Sequence, residues 1–484
     1  MASDLKAKTL SGMIWSFVQR FGTMAISFVS NIVLARLLTP DDYGTIGMLM
    51  IFIAVANTFV DGGFGSALIQ KKEPTQADYS TIFWWNMFLS IVLYGLLFLG
   101  APAVANFYNL PLLADVLRVQ GFVLILNALS IIQQNQLRKQ LKFKRLATVT
   151  VISATLSASI AIALAYMGWG VWALVAQQLM LSGFTAMILW ILNKWYPLLT
   201  FSKESFKQLF GFGGFILVSN LINTFCNNVQ ALLIGRYFTP SVLGYYTQAR
   251  KLEELASTSF SSIVDQVSYP VLAECQNDID NLRAVLKKLL LCIAFITIPI
   301  MAILALNAHA LIIFLYTNKW VECVPYFQIL CIAGVAISMQ GVLYYAVASL
   351  GKSRELFIWT IIKRGLALLV ILAGTFSGGI YGLLIGSVLG TWIVYLSNAY
   401  LCSKHIHYTF TQQLLDLSPI VIANLISYLI SYYIGSYIVL PIYLESIIVT
   451  TLYLAVYLLI SYLIKIKPLI DVYNMLNNQI KRLL

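Results

Sequence analysis

Long apolar runs alternate with short polar connections along almost the whole chain. The apolar runs have about 20 residues each, the length that an α-helix needs to cross roughly 30 Å of hydrocarbon. The alternating ten-residue strands of a membrane β-barrel are not the pattern seen here. The runs predict fourteen spans, near residues 11–35, 44–69, 80–106, 116–136, 147–167, 170–193, 208–236, 245–272, 285–316, 323–349, 356–376, 379–402, 416–437 and 442–464.

The composition is typical of a chain that lies mostly in lipid. Hydrophobic residues make up 60% of its 484 residues and charged residues only 10%, whereas a soluble domain carries about 25% charged residues. We therefore predict an all-α polytopic membrane protein. The six cysteines form no CxxC pair, and the sequence has neither a phosphate-binding loop nor a catalytic constellation. The sequence therefore predicts no metal site, disulfide framework or cofactor.

Positive charge is distributed unevenly between the predicted loops. Most of the 31 Lys and Arg residues fall on one side, whereas the other side holds only Arg36, Arg236 and Lys319. Cytoplasmic loops are enriched in Lys and Arg, so this imbalance predicts that both termini are cytoplasmic. The same enrichment of the cytoplasmic loops in Lys and Arg explains the net charge of +12, so no nucleic-acid partner is predicted from that charge.

One motif occurs twice, at an offset of 200 residues. Residues 35–44 read ARLLTPDDYG and residues 235–244 read GRYFTPSVLG, so both copies share the frame R-x-x-T-P-x-x-x-G. Each copy is predicted to hold six spans, and an even number keeps both in the same orientation. We therefore predict an N-lobe over residues 1–205 and a C-lobe over 206–405, forming two lobes around a central cavity. Two additional C-terminal helices and a cytoplasmic tail would occupy 406–484.

Polar side chains recur at helical spacing on four of these apolar spans. In chain order they include Arg20, Asp61, Asn220, Asn223, Asn227, Arg250, Glu254 and Asp265. A charge at the centre of a lipid-exposed helix costs roughly 2.5–3.5 kcal/mol, so these side chains should face the interior of the bundle or a water-filled cavity. For the asparagines, hydrogen bonding between helices is the alternative.

Other charged positions have simpler interpretations. Lys363 lies inside the eleventh span, where it either faces the cavity or extends toward the cytoplasmic headgroups. Lys251 and Glu253 are interpreted as an ordinary pair at the rim of the eighth span. A cavity with net positive charge would suit a diphosphate, because its oxygens must exchange water for charge-assisted hydrogen bonds.

Three segments carry a resemblance to a known family: LARLLTPDDYGTIGM, DGGFGSALIQ and NNVQALLIGRYFTPSVLGYYTQARKLEELA. They resemble polysaccharide flippases of the Wzx type, in the multidrug/oligosaccharidyl-lipid/polysaccharide exporter superfamily, over residues 5–405. The resemblance implies transport of an undecaprenyl-diphosphate-linked oligosaccharide from the cytoplasmic to the periplasmic leaflet of the bacterial inner membrane. A polysaccharide polymerase and assembly proteins would be further partners.

The resemblance also implies a cavity lined by cations. We carry over only cationic positions in the matching spans, which are Arg20 and Arg250, with Lys363 as a third. The asparagines of the seventh span would bind sugar hydroxyls. The residues hypothesised to couple transport to protons or sodium ions are Asp61, Asp265 and Glu254.

Two other functions remain open from the sequence. A cation-coupled drug exporter of the same superfamily would favour an acidic, aromatic pocket over one holding Arg20 and Arg250. A membrane-embedded polysaccharide polymerase or glycosyltransferase would usually present acidic or Arg-rich motifs in a large periplasmic loop. The predicted outer loops here are short and nearly free of charge.

Overall fold

The computed structural model describes residues 2–438 and 440–470, with all of their side chains except those of residues 2–10, 212, 215, 260, 262–267 and 353. The regular structure of these residues is helical, with no strand among them. The chain forms two compact units, Met1–Gly244 and Tyr245–Leu484.

In the first unit the described helices are α1 (Ala2–Leu37), α2 (Pro40–Asp61), α3 (Phe64–Gln70), α4 (Gln76–Tyr108), α5 (Leu112–Gln120), α6 (Val123–Lys139), α7 (Phe143–Tyr166), α8 (Val171–Asn193) and α9 (Lys203–Tyr237). Helix α10 (Pro240–Glu274) begins in the first unit and continues in the second. The remaining described helices are α11 (Ile279–Leu306), α12 (Ala308–Tyr316), α13 (Cys323–Ser349), α14 (Ser353–Ile406), α15 (Phe410–Gly435) and α16 (Ile442–Leu463).

Eleven helical segments of the described residues are long and apolar enough to cross a membrane, and α9, bent by 54°, would be a twelfth. Helix α14 counts once among the eleven, although its backbone leaves helical geometry at Gly378 and Gly379. That break falls between two predicted spans. The polar helix α10 is not among the eleven. The prediction of an all-helical, multi-pass membrane protein is confirmed, and the count of fourteen spans stays a prediction.

The Thr-Pro step of the first motif starts α2. Thr39 Oγ1 accepts a hydrogen bond from the Asp42 N–H at 3.3 Å, and the Asp42 carboxylate accepts one from the Thr39 N–H at 2.9 Å. This reciprocal arrangement satisfies backbone donors that have no partner within the helix. Pro40 follows in the first turn, where its missing N–H removes no helical hydrogen bond.

A double glycine interrupts the second predicted span. Gly62 and Gly63 have φ values of 57° and 69°, a left-handed conformation that glycine adopts without steric penalty. Helix α2 therefore ends at Asp61, and the short helix α3 continues from Phe64. A Cβ atom added to Gly63 would lie 2.5 Å from the carbonyl oxygen of Gly213 in α9. The break is thus tightly packed against another helix.

The core of the second unit includes the last two helices. Leu290 of α11 belongs to the same buried apolar cluster as Ile420 of α15 and Tyr453 of α16. An ion pair between Lys287 of α11 and Asp416 of α15, at 2.6 Å, adds a polar link. Helices α15 and α16 therefore pack as part of this unit. The division at residues 205 and 405 concerns the repeats and stays a prediction.

Candidate transport site

The two copies of the T-P-x-x-x-G motif contact each other within the first unit. A Cβ atom added to Gly44 would overlap the carbonyl oxygen of Pro240, and one added to Gly244 would overlap the carbonyl oxygen of Pro40. The contacts are reciprocal, because the two prolines and the two glycines are equivalent positions of the motif. Both crossings need glycine, since any side chain would occupy the place of a backbone atom.

A side-chain hydrogen bond joins a third pair of equivalent positions. Ser241 Oγ donates to Asp41 Oδ1 at 2.7 Å, across the same offset of 200 residues. This bond and the two glycine crossings form a surface that we call the outer closure, made of Pro40, Asp41, Gly44, Pro240, Ser241 and Gly244. It lies at the end of α2 that the charge pattern predicts to be periplasmic.

Helix α2 contacts α9 over the rest of its length. A Cβ atom added to Gly235 would lie 2.9 Å from Met48 Cγ, and the hydroxyl oxygens of Thr58 and Thr224 are 3.1 Å apart. At the far end, Gly213 meets the double-glycine break. Helices α2 and α9 are therefore in contact from one end of the second predicted span to the other.

Arg20 lies within the membrane-length segment of α1, Ser11–Leu37. Its side chain is exposed, and it forms no ion pair or hydrogen bond with any residue that the structure describes. Its backbone carbonyl accepts a hydrogen bond from Thr23 Oγ1 at 3.1 Å. The guanidinium thus keeps its full capacity to bind an anion.

The asparagine stripe predicted on the seventh span lies on α9. Asn220 and Asn227 are exposed, and Asn223 is half-buried. Asn228, next to the stripe, donates its amide to the Thr224 carbonyl at 2.8 Å and so belongs to the helix itself. A sugar-binding role for these asparagines stays a prediction.

Arg250 and Glu254, predicted to have separate roles, form one ion pair on α10. Arg250 Nε donates to Glu254 Oε1 at 2.7 Å, and its Nη1 donates to the Tyr246 hydroxyl at 3.3 Å. Their spacing of four residues places the two side chains on the same helix face. The pair remains partly exposed, so an anion that displaced Glu254 would still reach the guanidinium. Tyr246 was not identified from the sequence.

Lys363 is buried in the second unit. It is 5% exposed, and its Nζ donates to Asn398 Oδ1 at 2.8 Å, between the two halves of α14. The Asn398 amide donates in turn to the Gln340 carbonyl of α13 at 3.1 Å, and the Tyr344 ring lies 5.7 Å from Nζ. A substrate role for Lys363 stays a prediction, and the observed contacts hold helices together.

Replacing Lys363 by Met should lower the melting temperature of the purified protein. The change removes the donor to Asn398 Oδ1 and leaves a buried acceptor unpaired, which costs about 1–3 kcal/mol. Lys352→Met, at an exposed position, is the matched control and should melt like the wild type. Equal melting temperatures for both variants would show that Lys363 does not hold Asn398.

The predicted coupling carboxylates lie on two helices, Asp61 on α2 and both Glu254 and Asp265 on α10. Asp61 is exposed at the end of α2, beside the double-glycine break, and lies within electrostatic range of Arg138. Asp265 lies on α10, and its side chain is outside the described residues. The described residues contain no group of three or more His, Cys, Asp or Glu side chains that could hold a metal ion.

Residues 33–325 match the model of a family described as polysaccharide biosynthesis protein. TuaB of Bacillus subtilis, a teichuronic acid biosynthesis protein, is 25% identical over 358 residues, which cover 74% of each chain. WzxC of Escherichia coli, a lipopolysaccharide biosynthesis protein, is 23% identical over 388 residues, covering 80% of this chain and 79% of WzxC.

The fold is shared with a solved structure of the lipid II flippase MurJ in an inward closed conformation. The TM-score is 0.76 at 15% sequence identity, and the match covers 93% of this chain and 98% of MurJ. The family model matches more than half of the chain. The chain therefore belongs to the polysaccharide biosynthesis protein family.

Proposed function

We propose that the protein is a flippase of the bacterial inner membrane that moves an undecaprenyl-diphosphate-linked oligosaccharide from the cytoplasmic to the periplasmic leaflet. The observation that carries the proposal is Arg20, a guanidinium that no described residue neutralises within a membrane-length helix. The names of the relatives TuaB, WzxC and MurJ support the substrate class.

In this proposal Arg20 and Arg250 bind the diphosphate while the asparagines of α9 bind sugar hydroxyls. Charge-assisted hydrogen bonds to guanidinium groups replace the water that a phosphate loses on entering the membrane. The membrane potential, negative inside, favours export of an anion by about 2.3 kcal/mol per charge per 100 mV. The protein would need no nucleotide for this step.

The outer closure supports a mechanism of alternating access. Backbone crossings at Gly44 and Gly244 let the two motif copies approach closely without interlocking side chains. Such a contact separates without side chains having to change rotamer. The two predicted lobes would open outward by separating at the outer closure. A polymerase on the periplasmic side would then consume the exported oligosaccharide unit.

Substituting Arg20 or Arg250 by Ala should abolish export while the protein still inserts. Each guanidinium contributes about 1.5–3 kcal/mol through charge-assisted hydrogen bonds, so the initial rate should fall at least tenfold. The measurement is translocation of a fluorescent undecaprenyl-diphosphate oligosaccharide in liposomes that contain the purified protein. Arg283→Ala is the matched control, because Arg283 pairs with Asp280 at the start of α11.

Wild-type rates in both arginine variants would refute the cation-lined site. The rival functions give different results in the same liposomes. A drug exporter would move organic cations and leave the lipid-linked oligosaccharide in place, and a polymerase or glycosyltransferase would lengthen the glycan chain.

A further inference from the structure

A carboxyl group on α10 is buried in the second unit without an ion pair to any described residue. Glu253 is 2% exposed, and its Oε1 has no hydrogen-bond partner among the described residues. Glu254, the next residue, is partly exposed and bound to Arg250. Glu253 therefore does not lie at the rim of the helix, as the sequence suggested, but in its packed face.

The space around Oε1 is provided by a glycine on α13. A Cβ atom added to Gly334 would lie 2.7 Å from Glu253 Oε1 and 2.9 Å from both Sδ and Cε of Met301 in α11. Ser257, one turn further along α10, also has a hydroxyl without a partner. The carboxyl group thus fills the gap left by a missing side chain, against a thioether.

The charged and titratable groups that face Glu253 do not neutralise it. Arg250 and Glu254 lie on the same helix, and Arg250 is already paired with Glu254. From α13 the facing titratable group is Cys331, and α11 contributes the uncharged Met301. A buried carboxylate without a paired cation is energetically unfavourable, whereas a bound proton removes the charge.

We propose that Glu253 is a proton-binding site whose neutral acid is the form packed against Gly334. The carboxylate takes up one proton when α10 packs on α13 and releases it when the two helices part. A sodium ion fits the site less well, because it needs several oxygen ligands, whereas the two atoms that lie beside Oε1 near Gly334 are Cε and Sδ of Met301. Coupling of this proton to transport rests on the proposed function, whereas the protonation does not.

Infrared spectroscopy of the purified full-length protein, without substrate, tests the site directly. The wild type should show the carbonyl band of a protonated carboxyl group at neutral pH. Glu253→Gln, which keeps the shape and removes the titration, should lose that band, and Glu254→Gln should keep it. Replacing potassium chloride by sodium chloride should leave the band unchanged.

A second variant tests the role of the glycine. Gly334→Ala would place a methyl group 2.7 Å from Oε1, too close for contact, and so force the carboxyl group out of its packed position toward water. The band should therefore disappear at a lower pH than in the wild type. The proposal is overturned if the wild type lacks the band, if Glu253→Gln retains it, or if sodium removes it. These results do not depend on the oligosaccharide, so failure of the flippase assay and failure of this proposal are distinguishable.

Discussion

Replacing Gly44 by Ala is expected to reduce export at least tenfold and to lower the melting temperature. The added Cβ would overlap the carbonyl oxygen of Pro240, and a backbone atom cannot rotate away as a side chain can. The two motif copies would have to separate, at a cost of about 1–3 kcal/mol for overpacking. Gly244→Ala, which meets the Pro40 carbonyl, should behave in the same way. The measurements are liposome translocation and thermal unfolding in detergent.

Gly95→Ala is the matched control, because a Cβ atom at Gly95 in α4 would have no atom within 4 Å. Alanine is favoured over glycine inside a helix by roughly 0.5–1 kcal/mol, so this variant should be as stable as the wild type or more so. The double variant Gly44→Ala/Gly244→Ala should be less damaging than the sum of the two, since both break the same surface. If Gly44→Ala behaves like Gly95→Ala, the outer closure does not form in the working protein.

A disulfide across the outer closure is expected to stop transport completely and reversibly. Asp41 Oδ1 and Ser241 Oγ are 2.7 Å apart and the two backbones cross at Gly44 and Gly244, so we expect cysteines at these positions to approach within disulfide distance. The pair is introduced into a chain in which the half-buried Cys226, Cys275 and Cys292 are replaced by alanine. Oxidation should join the two segments in nearly all molecules, and reduction should restore the original rate.

Each single-cysteine variant serves as a control and should keep its rate under oxidation. Export that continues in fully cross-linked protein would show that the outer closure stays shut throughout the cycle. The substrate would then have to leave by a route that does not separate Asp41 from Ser241. Together with the glycine variants, this experiment asks first whether the contact forms and then whether it must open.

Several features of the site were readable from the sequence because they depend on neighbours along one helix. The spacing of four residues between Arg250 and Glu254 is that of an intrahelical ion pair, so their contact could have been expected. The identical frames at residues 35–44 and 235–244 marked equivalent positions. That these positions touch each other was not readable, because a repeat identifies equivalents and says nothing about their distance.

Glu253 and Lys363 show where the sequence is insufficient. Glu253 and Glu254 are adjacent and of the same residue type, yet one is buried against Gly334 and the other is partly exposed. Lys363 finds Asn398 35 residues away, across the break in α14. Helical periodicity separates the faces of a helix, but it does not tell which face another helix will cover.

The sequence alone identifies a helical membrane protein of the polysaccharide biosynthesis family, with cations in its apolar segments and a motif that occurs twice. The length of each apolar run follows from the thickness of the bilayer, and the excess of Lys and Arg in the loops of one side follows from the asymmetry of membrane insertion. Both features can therefore be read directly from the order of residues along the chain. Which polar groups are paired, buried or exposed became known from the three-dimensional packing. That outcome depends on packing between segments as far apart as Asp41 and Ser241.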